Sequence, residues 1–169
     1  DLLWGQPIAA NGAPATARNA DNNTRDQALR LFRKLPEYDA IQAYYTKDTG
    51  SPGAWDEMDN GKLKVMLWTS QAGGPTMVSA YAVAGRGCGS FEGQLWALWR
   101  MEKNGAWTRI MVQEAESLSP RFALDADGDG KLEWVAERGL SGAVLLREDD
   151  SGSLVIEKKL VIPFNDCSC

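Results

Sequence analysis

Apolar residues recur at helical spacing near the start of the chain and at alternate positions over most of the rest. Ala28, Leu29, Leu31, Phe32 and Leu35 fall on one helical face. Thr24-Arg25-Asp26-Gln27 fits a capping box, with Thr24 as N-cap and Gln27 at the third helical position. Pro36 removes a backbone donor and ends the pattern, so the predicted helix covers residues 24–35. Residues 1–23 are rich in Ala, Asn, Gly and Pro and read as an irregular arm. Glu37 to Asp48 stays open between a strand and a second helix, with Ile41, Tyr44 and Tyr45 as its apolar positions; Thr49 to Trp55 is loop.

From residue 60 the period becomes two. Leu63, Val65 and Leu67 alternate with Lys62, Lys64 and Met66 up to Trp68, and Met77 to Ala84 alternates again after Gly73-Gly74-Pro75. Gln94 to Glu102 and Trp107 to Glu114 flank Asn104-Gly105, the strongest short-range hairpin signal. Arg121 to Leu124 and Leu132 to Glu137 flank Asp125 to Lys131, while Ala143 to Arg147 and Leu154 to Ile162 flank Asp149 to Gly152. The pattern predicts about eight strands in an antiparallel meander over residues 60–163, followed by a Cys-containing tail over 164–169. The expected fold is mainly β, one domain over residues 1–169, built as a sandwich, a barrel or a small propeller-like sheet with one N-terminal helix.

Composition narrows the function. Apolar residues make up 44% and charged residues 24% of the 169 positions, as in an ordinary globular protein. Eighteen Lys and Arg against 23 Asp and Glu leave a net charge of −5, so no basic field exists to attract nucleic acid or an anionic membrane surface. The longest charge-free run, Val65 to Gly85, is too rich in Ser, Gln, Gly, Thr and Pro for a transmembrane helix. Histidine is absent. That excludes Ser-His-Asp and Cys-His nucleophilic mechanisms and His-ligated zinc or haem. Seven tryptophans stand against that absence. Trp68, Trp96, Trp99, Trp107 and Trp134 lie on predicted strands, where they serve as core or as stacking and anchoring surfaces. Trp96 and Trp99 have opposite strand parity, so one of them is expected to face outward. Trp4 and Trp55, in loops, are further contact candidates.

The strongest chemical signal is Asp125-Ala126-Asp127-Gly128-Asp129-Gly130-Lys131-Leu132-Glu133. Its carboxylates stand at loop positions 1, 3, 5 and 9, and a glycine stands at position 6. Calcium takes six to eight hard oxygens, which alternating carboxylates around a tight turn supply. Gly130 allows the positive backbone angle such a turn needs, and the Lys131 carbonyl would serve at position 7. Four carboxylates this close repel one another unless a cation sits among them. Position 12 is Ala136, where an EF-hand needs a bidentate Glu.

With apolar strands on both sides, the loop resembles the calcium hairpin of FG-GAP and VCBS repeats, the blade loops of integrin-type β-propellers. The resemblance covers about 15 residues. It implies Ca²⁺ held by Asp125, Asp127, Asp129, the Lys131 carbonyl and Glu133. A modest calcium site implies a periplasmic or extracellular location, where millimolar calcium fills it.

Three cysteines, Cys88, Cys167 and Cys169, contain no CxxC pair. A disulfide from Cys88 to Cys167 or Cys169 would close a loop of about 80 residues and contribute roughly 4 kcal/mol on the entropic model. A lipoprotein precursor whose lipidated Cys lies just before Asp1 would account for the odd count. Loop Gly85 to Gly93 lacks the Gly-Lys-Ser/Thr of a phosphate loop and reads as a shaped surface loop, with Arg86, Ser90 and Phe91 as contact residues. Ser117-Leu118-Ser119-Pro120 is a short polar loop suited to entering a partner's cleft, through Ser117 and Ser119. Glu114 and Glu116 share a strand face and form a candidate carboxylate pair. The chain is therefore expected to be a non-catalytic calcium-binding protein that engages another protein, such as an enzyme inhibitor or an immunity protein against a cell-wall-degrading toxin. A carbohydrate-binding or adhesion module and a carboxylate-pair glycoside hydrolase are the alternatives.

Overall fold

The first helix is capped three residues before the expected position. In the structure, a computed structural model that describes residues 13–70, 74–85, 91–113, 118–138 and 142–161, Asp21 Oδ1 accepts the Thr24 amide at 3.0 Å and its Oδ2 accepts the Thr24 hydroxyl at 3.0 Å. A charged acceptor thus takes the place of the Thr24 cap, and α1 spans Asn22–Phe32 rather than 24–35. Pro36 starts a helix as well as following one. It occupies the first turn of α2 (Pro36–Thr49), where its missing N–H leaves no intrahelical bond unmade. Gly50 closes α2 at φ 68°. The open segment after Pro36 is therefore helical, and the described residues hold two α-helices where one was expected.

All eight predicted strands are present: β2 (Lys62–Ser70), β3 (Thr76–Ala84), β4 (Gly93–Met101), β5 (Trp107–Gln113), β6 (Leu118–Asp125), β7 (Glu133–Arg138), β8 (Gly142–Glu148) and β9 (Leu154–Val161). A ninth, β1 (Ala13–Asn19), lies inside the arm that read as irregular. Its described side chains are exposed or half-buried, so it carries no alternation. Its backbone pairs with β2 from Ala15↔Ser70 to Asn19↔Met66, and with β6 at Ala13↔Asp125 and Pro14↔Leu124. All the pairings are antiparallel, in the order β5-β4-β3-β2-β1-β6-β7-β8-β9. The sheet is continuous and curls into a nearly closed barrel, unlike the separate blades of a propeller.

Two cores follow from this curl. Trp68, Met77, Trp96, Leu98, Ala123, Trp134, Val144 and Leu146 belong to the core enclosed by the sheet. There the Trp68 and Trp134 rings meet edge-on at 4.9 Å, and Trp96 meets Trp134 at 6.1 Å. Such pairs are worth about 0.5–1.5 kcal/mol each beyond their burial. Outside the barrel, Ala28, Phe32, Tyr38, Tyr45 and Trp55 cover Val78, Ala80, Ala82, Leu95, Ala97 and Trp99. Strand β4 is thus covered on both faces. Trp96 and Trp99 point to opposite sides as their parity requires, yet both are buried, which corrects the expectation that one would reach solvent. Phe91 is also buried, with Tyr45 at 4.9 Å and Trp55 at 6.4 Å. Gly93 makes room for this contact, since a Cβ there would stand 2.5 Å from the Phe91 ring and 2.9 Å from Ile41. Trp96 and Phe91 are core residues and offer no surface to a partner.

A buried ion pair locks the helical layer. Asp56 sits in a single 3₁₀ turn (Trp55–Glu57) with no side-chain exposure. It accepts from Arg33 Nε at 3.1 Å and Nη2 at 2.8 Å, and from the Tyr38 hydroxyl at 2.6 Å. Asp56→Ala would leave a half-buried guanidinium without its main partner, a loss of about 3 kcal/mol. The expected result is a melting temperature about 6–12 °C lower, read by calorimetry; a change under about 2 °C would show that this triad does not hold the helices.

Candidate metal centre

The acidic hairpin folds as its glycines allow. Gly128 (φ 79°) and Gly130 (φ 84°) take left-handed conformations in the turn between β6 and β7. Asp125 is wholly buried and accepts from the Gly128 amide at 2.7 Å and the Gly130 amide at 3.1 Å, one on each oxygen. Asp127 Oδ1 accepts from the Asp129 amide at 3.2 Å, and Asp129 Oδ1 from the Lys131 amide at 2.8 Å. The backbone is thereby wrapped around its own carboxylates. Asp125, Asp127 and Asp129 each bring one oxygen to within 4.8 Å of the others. Oxygens bound to opposite sides of one calcium ion lie roughly 5 Å apart, so this spacing fits one ion.

Glu133, at loop position 9, stands outside the group of three converging aspartates. It is 3% exposed, and its Oε2 accepts from the Ala126 amide at 2.7 Å. Its Oε1 is buried without a hydrogen-bond partner. Burial pushes the Glu133 carboxyl up, against the downward pull of the Ala126 amide. Lys131 is exposed and sets its ammonium 3.8 Å from Glu148 Oε1. On the far side of the loop, a Cβ on Gly74 would lie 2.8 Å from the Gly130 carbonyl, so the end of the β2–β3 connection packs against the hairpin.

Sequence reasoning missed Arg147. Its Nη2 pairs with Asp127 Oδ2, and its Nε lies 3.3 Å from Glu133 Oε1. The signal was present in the hairpin register. Pairing Trp134 with Leu146 and Val135 with Leu145 sets Glu133 opposite Arg147 one step further on. At the same end of the barrel, Arg100 of β4 pairs with Glu148 of β8 and ties the two halves of the sheet.

The other candidates that are described are not brought to this centre. Ser119 is half-buried at the start of β6, at the end of the barrel opposite the hairpin. Gly85, Phe91, Gln113 and Leu118 lie at that same opposite end. Arg86, Cys88, Ser90, Glu114, Glu116, Ser117, Cys167 and Cys169 lie outside the described residues, as does Trp4. No helix among the described residues is long and apolar enough to cross a membrane. No family model, curated protein or solved structure matches the chain.

Asp125 and Asp129 differ sharply in what they hold without metal. Asp125→Ala would strand two backbone donors around a buried site, a loss of about 3 kcal/mol. Asp129→Ala removes an exposed acceptor and would cost under about 1 kcal/mol. Urea unfolding in chelator checks the contrast, and equal losses would show that the turn is not organised around Asp125.

Proposed function

We propose that the protein is a non-catalytic calcium-binding protein of the periplasm or extracellular space that acts by binding another protein, as an inhibitor or as an immunity protein against a cell-wall-degrading toxin. The observation that carries the calcium reading is the hairpin itself. Three aspartate oxygens converge within one ion's span, and Glu133 on the same hairpin keeps a buried oxygen that takes no hydrogen bond and meets only the Arg147 guanidinium. Calcium on Asp125, Asp127, Asp129, the Lys131 carbonyl and Glu133 pins the β6–β7 turn.

The binding reading rests on the absence of histidine and on one sheet face. The helices cover the outer side of β2–β4. On the outer side of the other half, Phe122, Val135 and Leu145 stand opposite one another across three strands. Phe122 is 50% and Val155 44% exposed. The Arg121–Glu137 pair and the exposed Glu157 and Lys158 lie around them. A few large apolar groups in a charged rim is the anatomy of a protein contact. A carbohydrate site would set exposed Trp or Tyr beside the metal, and the described tryptophans are buried or half-buried.

Calcium at about 100 times its dissociation constant adds about 2.7 kcal/mol, a rise of about 5–10 °C in melting temperature for a chain of this size. Chelator reverses the rise and Asp129→Ala abolishes it; a wild-type melt indifferent to calcium sinks the metal reading. The partner reading is tested with the purified protein as bait in extracellular and periplasmic extract, with calcium. A stoichiometric protein that Phe122→Asp no longer captures supports it, and retention on polysaccharide alone replaces it with the carbohydrate reading.

A further inference from the structure

The acidic hairpin already contains a cation, and that cation belongs to the chain. Arg147 enters from β8, pairs with Asp127 Oδ2 and sets its Nε 3.3 Å from Glu133 Oε1. Asp127 is then engaged on both oxygens, since Oδ1 accepts the Asp129 amide. Glu133 has one oxygen on the Ala126 amide, while the other faces the guanidinium without a hydrogen bond. That second oxygen, ion-paired with Arg147, is the ligand atom that a metal at loop position 9 would take. Arg147 itself is 43% exposed, so its side chain can leave the loop for water at little cost.

We propose that Arg147 is a built-in competitor of calcium: its guanidinium neutralises Asp127 and Glu133 when the loop is empty, is displaced when the metal binds, and so sets the calcium concentration at which the site fills. The inference rests on the calcium reading of the hairpin and concerns its regulation. Carboxylates this close need a counter-charge for the hairpin to stay folded, and a guanidinium offers one without filling the oxygen cage. Ion pairs made by a guanidinium this exposed are worth only a few-fold each in equilibrium terms. Two of them hold the apparent affinity down by about tenfold, which suits a site that fills at extracellular calcium levels and empties below them. Displacement also frees a charged side chain on the outer sheet face, where Arg147 stands opposite Val155.

The test is calcium titration calorimetry on chelator-treated wild type, Arg147→Gln and Arg147→Lys. Arg147→Gln is expected to bind calcium about tenfold more tightly and to melt lower than wild type when metal-free. Arg147→Lys keeps the charge without the two-pronged reach and falls between. Phenylglyoxal labelling of Arg147, read by peptide mapping in wild type, is expected to speed up when calcium is added. Wild type that binds calcium while Arg147→Gln binds no more tightly, or labelling indifferent to calcium, overturns the competitor role and leaves the calcium site standing. Failure of all three proteins to bind calcium overturns both readings. Binding by Arg147→Gln alone supports the competitor role in its strongest form.

Discussion

Backbone pairing along β1 joins two four-stranded meanders, β2–β5 and β6–β9, into one sheet. Everything else in the architecture follows from that seam. The curl of the joined sheet brings Trp68 and Trp96 from one half against Trp134 from the other, and it lets Arg100 reach Glu148 across the barrel. A strand held on both sides by main-chain hydrogen bonds needs no side chain in the core, and β1 supplies almost none. Its sequence, Ala13 to Asn19 with Pro14 near the start, is free to be polar and small because both neighbours are already hydrophobic on the faces that matter.

The two halves are treated differently on the outside. Helices α1 and α2 bury the outer side of β3 and β4, so those strands are apolar on both faces and read as near-continuous runs: Met77, Val78 and Ala80, or Leu95 through Trp99. The other half keeps a stricter inside-outside alternation, and its outward positions mix Phe122, Val135 and Leu145 with Glu137 and Arg147. That asymmetry leaves one broad face of the molecule wet, with its largest apolar groups half out in water.

What the sequence made legible was what side chains encode. Eight strands came from alternation and from turn signals such as Asn104-Gly105, where Gly105 does take φ 83°. The tight acidic turn came from the spacing of its acids and from Gly130, which takes φ 84°. β1 was illegible because its structure is a main-chain matter, and α2 because Tyr44 and Tyr45 fit two periods equally well until Pro36 is recognised as a starter. The roles of Phe91 and Trp96 were misread because exposure depends on what covers a strand, and strand parity alone says nothing of a second layer. Arg147 escaped because the carboxylates were read along the chain, whereas their counter-charge comes from across the hairpin.

The position of the acidic loop ties its chemistry to the seam. Asp125, the first of the proposed ligands, is also the last residue of β6 and the register partner of Ala13 in β1. Its two oxygens are spent on the Gly128 and Gly130 amides, so the turn and the β1–β6 pairing share one buried side chain. The Gly130 carbonyl in turn abuts the end of the β2–β3 connection, and Lys131 reaches toward Glu148, which holds Arg100. Charge neutralisation in the loop therefore acts on contacts from β1, β2, β4 and β8 at one end of the barrel. A cation there does more than fasten a hairpin: it relieves repulsion at the point where the two halves of the sheet meet. That is a physical reason for the chain to carry the Arg147 guanidinium in the loop.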